Sequence, residues 1–127
     1  MIIADASWII ALRDGRDVHH ERAVAIHESV GTERVLLPSL TFAECLVGPA
    51  KFGALDVAAH GLRAAFEIVE ADVEAPLRWA SLRADTGLRL PDVVVLDAAV
   101  RHGARAIATF DDRLAASATD RTVVALK

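Results

Sequence analysis

The sequence has very little cysteine, and this scarcity excludes several kinds of site. Cys45 is the single cysteine among 127 residues, so an internal disulfide and a zinc site built from several thiolates are both impossible. A lone cysteine fits a reducing compartment. The first residues include no basic stretch of the kind that begins a secretory signal, and we therefore expect a cytoplasmic protein.

Long hydrophobic runs and aromatic residues are also scarce. No apolar run reaches the roughly 18 residues that a membrane span requires. Aromatic residues amount to 5% and tyrosine is absent, whereas hydrophobic residues as a whole amount to 54%. This apolar content excludes a disordered chain. A chain of this length buries roughly two-thirds of its unfolded surface, so we predict one domain over residues 1–127.

Positive charge is in short supply as well. The 14 Lys and Arg residues face 18 Asp and Glu residues, for a net charge of -4, which argues mildly against a nucleic-acid partner. Bound cations would offset part of the acidic charge. A series of arginines also occupies the second half of the chain, although ordinary solvated helix faces explain it equally well: Arg78, Arg83, Arg89, Arg101, Arg105 and Arg113.

Short apolar runs alternate with helical patterns along the chain. The predicted strands are residues 2–4, 35–37, 66–69, 105–109 and 123–125. The predicted helices are residues 8–12, 17–30, 41–47, 55–65, 72–86, 93–102 and 111–118, with Ser39 and Asp72 as N-caps and a break at Gly48–Pro49. Short strands buried on both faces indicate a parallel sheet covered by helices, an α/β sandwich. The strand order does not follow from these patterns.

Three aspartates fall at the ends of predicted elements. Asp5 directly follows the first strand, and Asp111 lies two residues beyond the strand that ends at Thr109. The carboxyl ends of parallel strands line the functional crevice, so we expect both side chains to reach the same rim. Asp92 begins a helix, and the N-terminal end of a helix carries the positive end of its dipole. This position favours the Asp92 anion facing the rim.

Glu44 lies inside an otherwise apolar helix, residues 40–47. A buried, unpaired glutamate is unfavourable, and a bound metal would explain it, although a surface position would too. Converging carboxylates repel one another unless a hard cation such as Mg²⁺ or Mn²⁺ binds them. Two such ions can activate a water and stabilise the leaving oxygen of a phosphodiester. Eighteen acids are scattered over the chain, so spacing alone leaves the site open.

Four segments in order resemble PIN-domain ribonucleases, and specifically the VapC-type toxins of bacterial toxin–antitoxin pairs. They are the Ile-Ala-Asp-Ala-Ser start, the helix that contains Glu44, the Leu-Pro-Asp segment with its Ala-rich helix, and the closing Thr-Phe-Asp segment: residues 3–7, 38–44, 90–103 and 108–114. The similarity covers nearly the whole chain. It implies a three-layer PIN-like sandwich with a short, mainly parallel central sheet flanked by helices.

The resemblance also implies a role for each matched acid. Asp5, Glu44 and Asp92 would hold Mg²⁺ or Mn²⁺ directly, and Asp111 would complete the catalytic site directly or through water. The implied activity is a metal-dependent endoribonuclease that acts as a toxin on RNA. A cognate antitoxin protein would block the site, often with an arginine near the acids, and the toxin would form a homodimer.

Two hydroxyl residues and two further acids accompany this set. Ser7 and Thr109 would orient carboxylates or waters, although Ser7 also suits an N-cap and Thr109 an ordinary strand end. Asp97 departs from the family pattern of a small apolar residue, and it lies about 140° round the helix from Asp92. It fits an outer ligand, a dimer contact or, as we favour, a structural partner for an arginine. Asp112 beside Asp111 is a rival fourth acid, and the spacing from Thr109 favours Asp111.

Other polar and aromatic residues are assigned to the surface or the core. Adjacent helical residues point about 100° apart, so His19 and His20 share one metal ion poorly and are predicted at the surface. Cys45 has no neighbouring base and is predicted as a core thiol. Trp8 and Trp79 fit a core or an interface better than a base-stacking platform. No glycine-rich phosphate loop is present.

Two rival functions remain open. One is a PIN-like binding module that no longer cuts, which the intact acid set disfavours. The other is a different magnesium-dependent α/β phosphohydrolase or a receiver domain. A haloacid-type phosphatase would have a second aspartate where Ser7 stands, and a receiver domain would have a lysine near the end of a late strand. The only lysines are Lys51 and Lys127.

Overall fold

The computed structural model describes residues 1–127. It has five strands, β1 (Ile2–Ala4), β2 (Val35–Pro38), β3 (Glu67–Val69), β4 (Ala106–Ala108) and β5 (Val124–Leu126). Seven helices alternate with them: α1 (Ala6–Arg13), α2 (His20–Val30), α3 (Ser39–Lys51), α4 (Leu55–Ala65), α5 (Ala75–Thr86), α6 (Leu90–His102) and α7 (Asp112–Thr119). No helix is both long enough and apolar enough to cross a membrane.

The strands form one sheet in the order β3-β2-β1-β4-β5, and every pairing is parallel. The predicted α/β class is therefore confirmed, with a sheet that is wholly rather than mainly parallel. The chain winds from β1 outward to β3 and then crosses back to β4 on the other side of β1. This reversal is the topological switch point where parallel sheets open a crevice at the carboxyl ends of their strands.

Each face of the sheet has its own hydrophobic core, because successive strand residues point to opposite faces. Ile2 and Ala4 belong to the first core, which α1, α2, α3 and α4 cover. Ile3 and Ile107 belong to the second core, beneath α6 and α7 with α5 packed outside. The helix–sheet–helix arrangement confirms the predicted three layers.

Helix α6 is buried around most of its circumference. It contacts α3, α5, α7 and three strands. Every residue from Asp92 to Asp97 is buried, and the four residues between these two aspartates are apolar. A helix that is apolar all round favours a position inside the fold. The consequence is that its two aspartates, Asp92 and Asp97, are both buried and each needs a physical explanation.

The helix containing Glu44 is longer than predicted. Gly48–Pro49 is a predicted break, but α3 continues to Lys51 with Pro49 inside its last turn. Proline there removes one intrahelical donor, and packing of α3 against α1, α4 and α6 keeps the turn helical. Ser39 is the predicted N-cap, but Pro38 occupies that position and no side chain caps the helix.

Two other predicted helix starts are wrong because an aspartate side chain bonds elsewhere. Asp72 does not cap α5. Its carboxylate accepts hydrogen bonds of 3.0 and 2.6 Å from the Arg78 guanidinium instead. Asp17 does not begin α2 either. Its side chain accepts a 2.8 Å hydrogen bond from the His19 N–H and forms a turn before the helix starts at His20.

Candidate carboxylate site

The first acid stands at the switch point of the sheet. Asp5 directly follows β1, and its backbone N–H donates a 3.0 Å hydrogen bond to the Ala108 carbonyl at the end of β4. It is the N-cap residue of α1, yet its carboxylate makes no capping bond. The side chain is only 6% exposed. The carboxylate is thus free to take part in the rim above β1 and β4.

Two hydroxyl groups hold the Asp5 carboxylate in one orientation. Ser7 Oγ donates to Asp5 Oδ2 at 2.6 Å, and Thr109 Oγ1 donates to the same oxygen at 2.7 Å. Ser7 Oγ in turn accepts a 2.9 Å hydrogen bond from the Phe110 N–H. The Oδ1 atom has no hydrogen bond, so one oxygen of Asp5 is left to an external ligand.

The same threonine also positions the acid that follows β4. Thr109 is fully buried, and its Oγ1 accepts a 3.0 Å hydrogen bond from the Asp111 N–H. Asp111 is the N-cap of α7, where its Oδ1 accepts from the Leu114 N–H at 2.9 Å. Its second oxygen remains unbonded. The structure thus brings Asp5, Ser7, Thr109 and Asp111 into one connected network.

Glu44 and Asp92 face the same charges from α3 and α6. Burial first, then the charges of Asp5 and Asp92, raise the pKa of Glu44 above its usual value. Burial first, then the charges of Asp111 and Asp5, raise the pKa of Asp92. Asp5 and Asp92 thus repel Glu44, and Asp5 and Asp111 repel Asp92, although these acids come from four separate parts of the chain.

An arginine that sequence reasoning did not single out for the site stands beside Asp92. Arg89 is the residue before α6, and its Nε lies 3.6 Å from Asp92 Oδ2. Its side chain is 75% exposed, so it offsets the acidic charge only in part. The i, i+3 spacing to Asp92 was the available signal, but it is shared by many surface pairs.

The donor set fits a hard divalent cation, although the side chains do not form a closed cage. No three His, Cys, Asp or Glu side chains are arranged to hold a metal ion as they stand. The free oxygens of Asp5 and Asp111, together with the raised pKa values of Glu44 and Asp92, describe acids whose charge Arg89 offsets only in part. Oxygen ligands of this kind suit Mg²⁺ or Mn²⁺.

The two possible accessory acids lie outside this network. The Asp97 carboxylate accepts hydrogen bonds from Arg78 Nε at 2.8 Å and from Trp79 Nε1 at 3.2 Å. Asp97 therefore pairs with an arginine of α5. Asp112 is 85% exposed and pairs with Lys127 Nζ at 2.6 Å. Neither side chain bonds to any member of the Asp5 network.

The other residues considered for chemistry have structural surroundings. Burial, followed by the charges of Glu44 and Asp5, raises the pKa of the Cys45 thiol to about 12, so the thiolate required of a nucleophile is not formed. Trp8 is fully buried, and its Nε1 donates to the Ala23 carbonyl at 3.1 Å. His20 Nδ1 lies 2.8 Å from the Ala11 carbonyl oxygen and shares no ligand position with its neighbour.

Solved structures with the same fold include proteins of toxin–antitoxin systems. A toxin–antitoxin complex from Klebsiella pneumoniae matches with a TM-score of 0.74 and 23% identity, over 87% of this chain and 87% of that one. VapC20 of Mycobacterium tuberculosis, described as a sarcin–ricin loop cleaving toxin, matches at 0.75 and 18%, over 92% and 95%. FitAcB from Neisseria gonorrhoeae matches at 0.78 and 23%, over 100% and 97%. At these identities the likeness shows the fold.

Sequence comparison assigns the family. No curated protein matches the chain, but the family model described as "PIN domain" matches residues 2–119. That span includes the strands β1 to β4 and every acid of the network. PIN domains are typically nucleases and generally use divalent metals. The chain belongs to the PIN domain family.

Proposed function

We propose that this PIN-domain protein is a Mg²⁺- or Mn²⁺-dependent endoribonuclease that acts as the toxin of a toxin–antitoxin pair. The observation that carries the proposal is the hydrogen-bond network through Thr109 that joins Asp5 to Asp111. It is supported by the neighbouring negative charges that help raise the pKa values of Glu44 and Asp92, with Arg89 as the near counter-charge. Four acids gathered against their mutual repulsion are unfavourable without a cation. Phosphodiester hydrolysis is the chemistry that such a cation supports.

Each residue would have a defined part in that reaction. Asp5, Glu44 and Asp92 would hold the cation, and Asp111 would complete the set directly or through water. Ser7 and Thr109 keep one Asp5 oxygen bonded so that the other faces outward. When bound, the ion supplies the Lewis acidity that hydrolysis of a phosphodiester requires. Arg89, largely exposed beside Asp92, is free to contact a substrate phosphate.

RNA is the proposed substrate for two reasons. The four matched segments resemble VapC-type ribonucleases, and one protein of the same fold is described as a toxin that cleaves the sarcin–ricin loop. The net charge of -4 argues mildly against this choice, but a bound cation would cancel part of the acidic charge where the phosphate would lie.

A cognate antitoxin and a second copy of the chain are the proposed protein partners. A complex of this fold with an antitoxin supports the first. Exposed apolar side chains suited to an interface are present on α1, α3 and α4 and in the turn between the last two: Ile10, Val47, Phe52, Leu55 and Val57. Light scattering of the purified chain, alone and co-expressed with its genomic neighbour, should give a dimer and a larger complex, and a monomer in both would contradict both partners.

The test is cleavage of total RNA by the purified protein with Mg²⁺, with Mn²⁺ and with EDTA. We expect discrete cuts that require metal and fall at least about 100-fold in rate in Asp5→Asn and Asp111→Asn, since several kcal/mol of charge stabilisation are lost. Asp112→Asn is the matched control. It removes the neighbouring acid, which pairs with Lys127 at the surface, and should leave the rate unchanged.

The other outcomes separate the rival functions. If folded wild-type protein binds RNA but never cuts it, the chain is a PIN-like binding module. Metal-dependent release of phosphate from a general phosphatase substrate, without RNA cleavage, indicates a phosphohydrolase of another kind. Cutting that survives in Asp5→Asn places the active centre elsewhere or reveals a contaminating nuclease.

A further inference from the structure

A stacked pair of rings borders the carboxylate site. The rings of His19 and Phe110 have centroids 4.5 Å apart and planes within 9° of parallel. Phe110 lies between Thr109 and Asp111 in the chain, so the stack adjoins two members of the Asp5 network. His19 comes from the turn before α2 and is exposed, whereas Phe110 is partly buried against the first core. One face of the His19 ring is therefore covered and the other faces solvent.

Both rings are held in place by their backbones. The Phe110 N–H donates a 2.9 Å hydrogen bond to Ser7 Oγ, the same atom that donates to Asp5. The His19 N–H donates to Asp17 Oδ1 at 2.8 Å, and the His19 carbonyl accepts from the Ala23 N–H at 2.8 Å. The backbone that carries each ring is thus tied down by hydrogen bonds, and the Phe110 backbone is joined through Ser7 to Asp5.

Basic groups continue the surface beyond the stack. Arg22, exposed one turn along α2, donates to the backbone carbonyl of Lys127. Lys127 Nζ pairs with Asp112 at 2.6 Å, and Asp112 follows Asp111 directly. In a chain of net charge -4, Arg22 and Lys127 place two basic side chains beside an exposed aromatic face, although Asp112 offsets part of the Lys127 charge. This edge of the acidic site suits a polyanion with flat rings.

We infer that the outer face of His19, backed by Phe110, is a stacking platform for one nucleobase of single-stranded RNA beside the bond to be cut. This rests on the proposed ribonuclease function. Unstacked RNA bases bind on aromatic side chains, and this contact tolerates any base because each has a π-face. Arg22 and Lys127 would neutralise the phosphate that follows. The stacked rings present a flat face, which favours a flat base over the varied side chains of a peptide.

The test measures binding separately from cleavage. A short single-stranded oligoadenylate with one 2-aminopurine, moved stepwise along the strand, is titrated with Asp5→Asn protein in Mg²⁺. At one position the fluorescence should be quenched by stacking. Adding His19→Ala should abolish that quenching and weaken binding roughly 5- to 150-fold, the range of one lost base stack. His19→Gln, which is polar but lacks a ring, should do the same, and His19→Phe should restore both readouts.

Two controls exclude a structural explanation. His60→Ala removes another exposed histidine, on α4, and should leave binding unchanged. The melting temperature of His19→Ala should equal that of its parent, because the ring is exposed and contributes little to the core. If His19→Phe and His19→Gln both lower the melting temperature, and RNA binding falls in proportion, the platform is overturned.

The outcomes also distinguish this inference from the proposed function. If the parent binds the oligonucleotide and wild type cleaves RNA, but His19→Ala binds equally well, the platform alone is overturned. If the parent binds no RNA and wild type cuts none, the ribonuclease proposal fails and the platform fails with it. Unchanged RNA binding with weakened capture of a co-expressed antitoxin would instead assign the stack to a protein partner.

Discussion

At the scale of single residues, hydrogen bonds decide which carboxylates are available for chemistry. Asp5 has one oxygen bonded to Ser7 and Thr109 and one oxygen free. Asp97, which is as buried as Asp5, has both oxygens bonded by Arg78. The first arrangement leaves charge uncompensated and the second neutralises it. Two equally buried aspartates therefore differ in the oxygens they leave free because of their partners rather than their burial.

The uncompensated acids predict an unusual dependence of stability on pH. The pKa values of Glu44 and Asp92 are raised in the folded state, so folding favours their protonated forms. Their stabilising contribution is present below the unfolded carboxyl pKa near 4 and is lost as pH rises through the folded values. At pH 7 without metal, Asp92→Asn removes a group whose charged form is disfavoured by burial and by Asp111 and Asp5, and it should stabilise the protein by on the order of 1 kcal/mol.

Urea denaturation in EDTA measures this effect. The gain from Asp92→Asn should shrink as pH falls, because the raised pKa of the wild-type carboxyl lets it take up a proton at a higher pH than an ordinary aspartate does. Asp112→Asn is the comparison, because the pKa of Asp112 is lowered by Lys127 and its replacement should bring no gain at pH 7. A destabilised Asp92→Asn protein at pH 7 would show that Asp92 is compensated after all.

At the scale of elements, α6 is the helix that links the site to the core. It is buried along most of its length and presents Asp92 at its first turn. Asp97 lies further along and is tied to α5 by Arg78 and Trp79. Because Ala75 is the one buried residue of α5, this tie is an important part of the attachment of α5 to the second core.

Removing the hydrogen bonds between Arg78 and Asp97 should therefore destabilise the fold without changing any acid of the carboxylate site. Arg78→Met leaves the buried Asp97 carboxylate unpaired, and we expect the melting temperature to fall by roughly 5–10 °C. The double variant Arg78→Met/Asp97→Ala should recover most of that loss, because no charge is then left buried. Thermal denaturation followed by circular dichroism gives both values.

A surface ion pair provides the control for this experiment. Arg16 pairs with Asp14 at 3.4 Å while its side chain is 95% exposed, so Arg16→Met should leave the melting temperature almost unchanged. If the double variant is no more stable than Arg78→Met alone, loss of packing by the arginine stem outweighs the unpaired charge.

At the scale of the whole molecule, the crossover of the chain assembles the site. Asp5 and Asp111 follow neighbouring strands, β1 and β4, although more than a hundred residues of sequence separate them. The α3 and α6 helices, which contact each other, add Glu44 and Asp92 from opposite layers. A ligand held by all four acids would thus bridge every layer of the fold.

Such a ligand should stabilise the entire protein. A divalent ion that binds only the folded chain adds about 2.7 kcal/mol at a hundred times its dissociation constant. Wild-type protein titrated with Mn²⁺ after EDTA treatment should show a rising melting temperature that saturates. Asp5→Asn should need far more metal, and Asp112→Asn should behave as wild type. Equal shifts in wild type and Asp5→Asn would place the ion outside the rim.

Most of the element pattern was predictable from sequence, because it depends on local chemistry. Short apolar runs of Ile, Leu, Val and Ala formed the strands, and glycine ended α5 and α6 in the left-handed conformation. The N-caps predicted at Ser39 and Asp72 were wrong because Pro38 takes the cap position of α3 and because the Asp72 carboxylate binds Arg78 on α5 instead of a backbone N–H. Pro49 was tolerated because neighbouring helices support its turn.

The sequence by itself determined where most strands and helices lie and which acids stand at their ends, because hydrophobic periodicity and the matched PIN segments involve residues close together in the chain. Only the tertiary structure decided the strand order, the bonding of Asp5 by Thr109, the pairing of Asp97 with Arg78 and the stacking of His19 on Phe110. Those contacts join residues far apart along the chain, and they depend on how helices and strands pack against one another rather than on any local pattern.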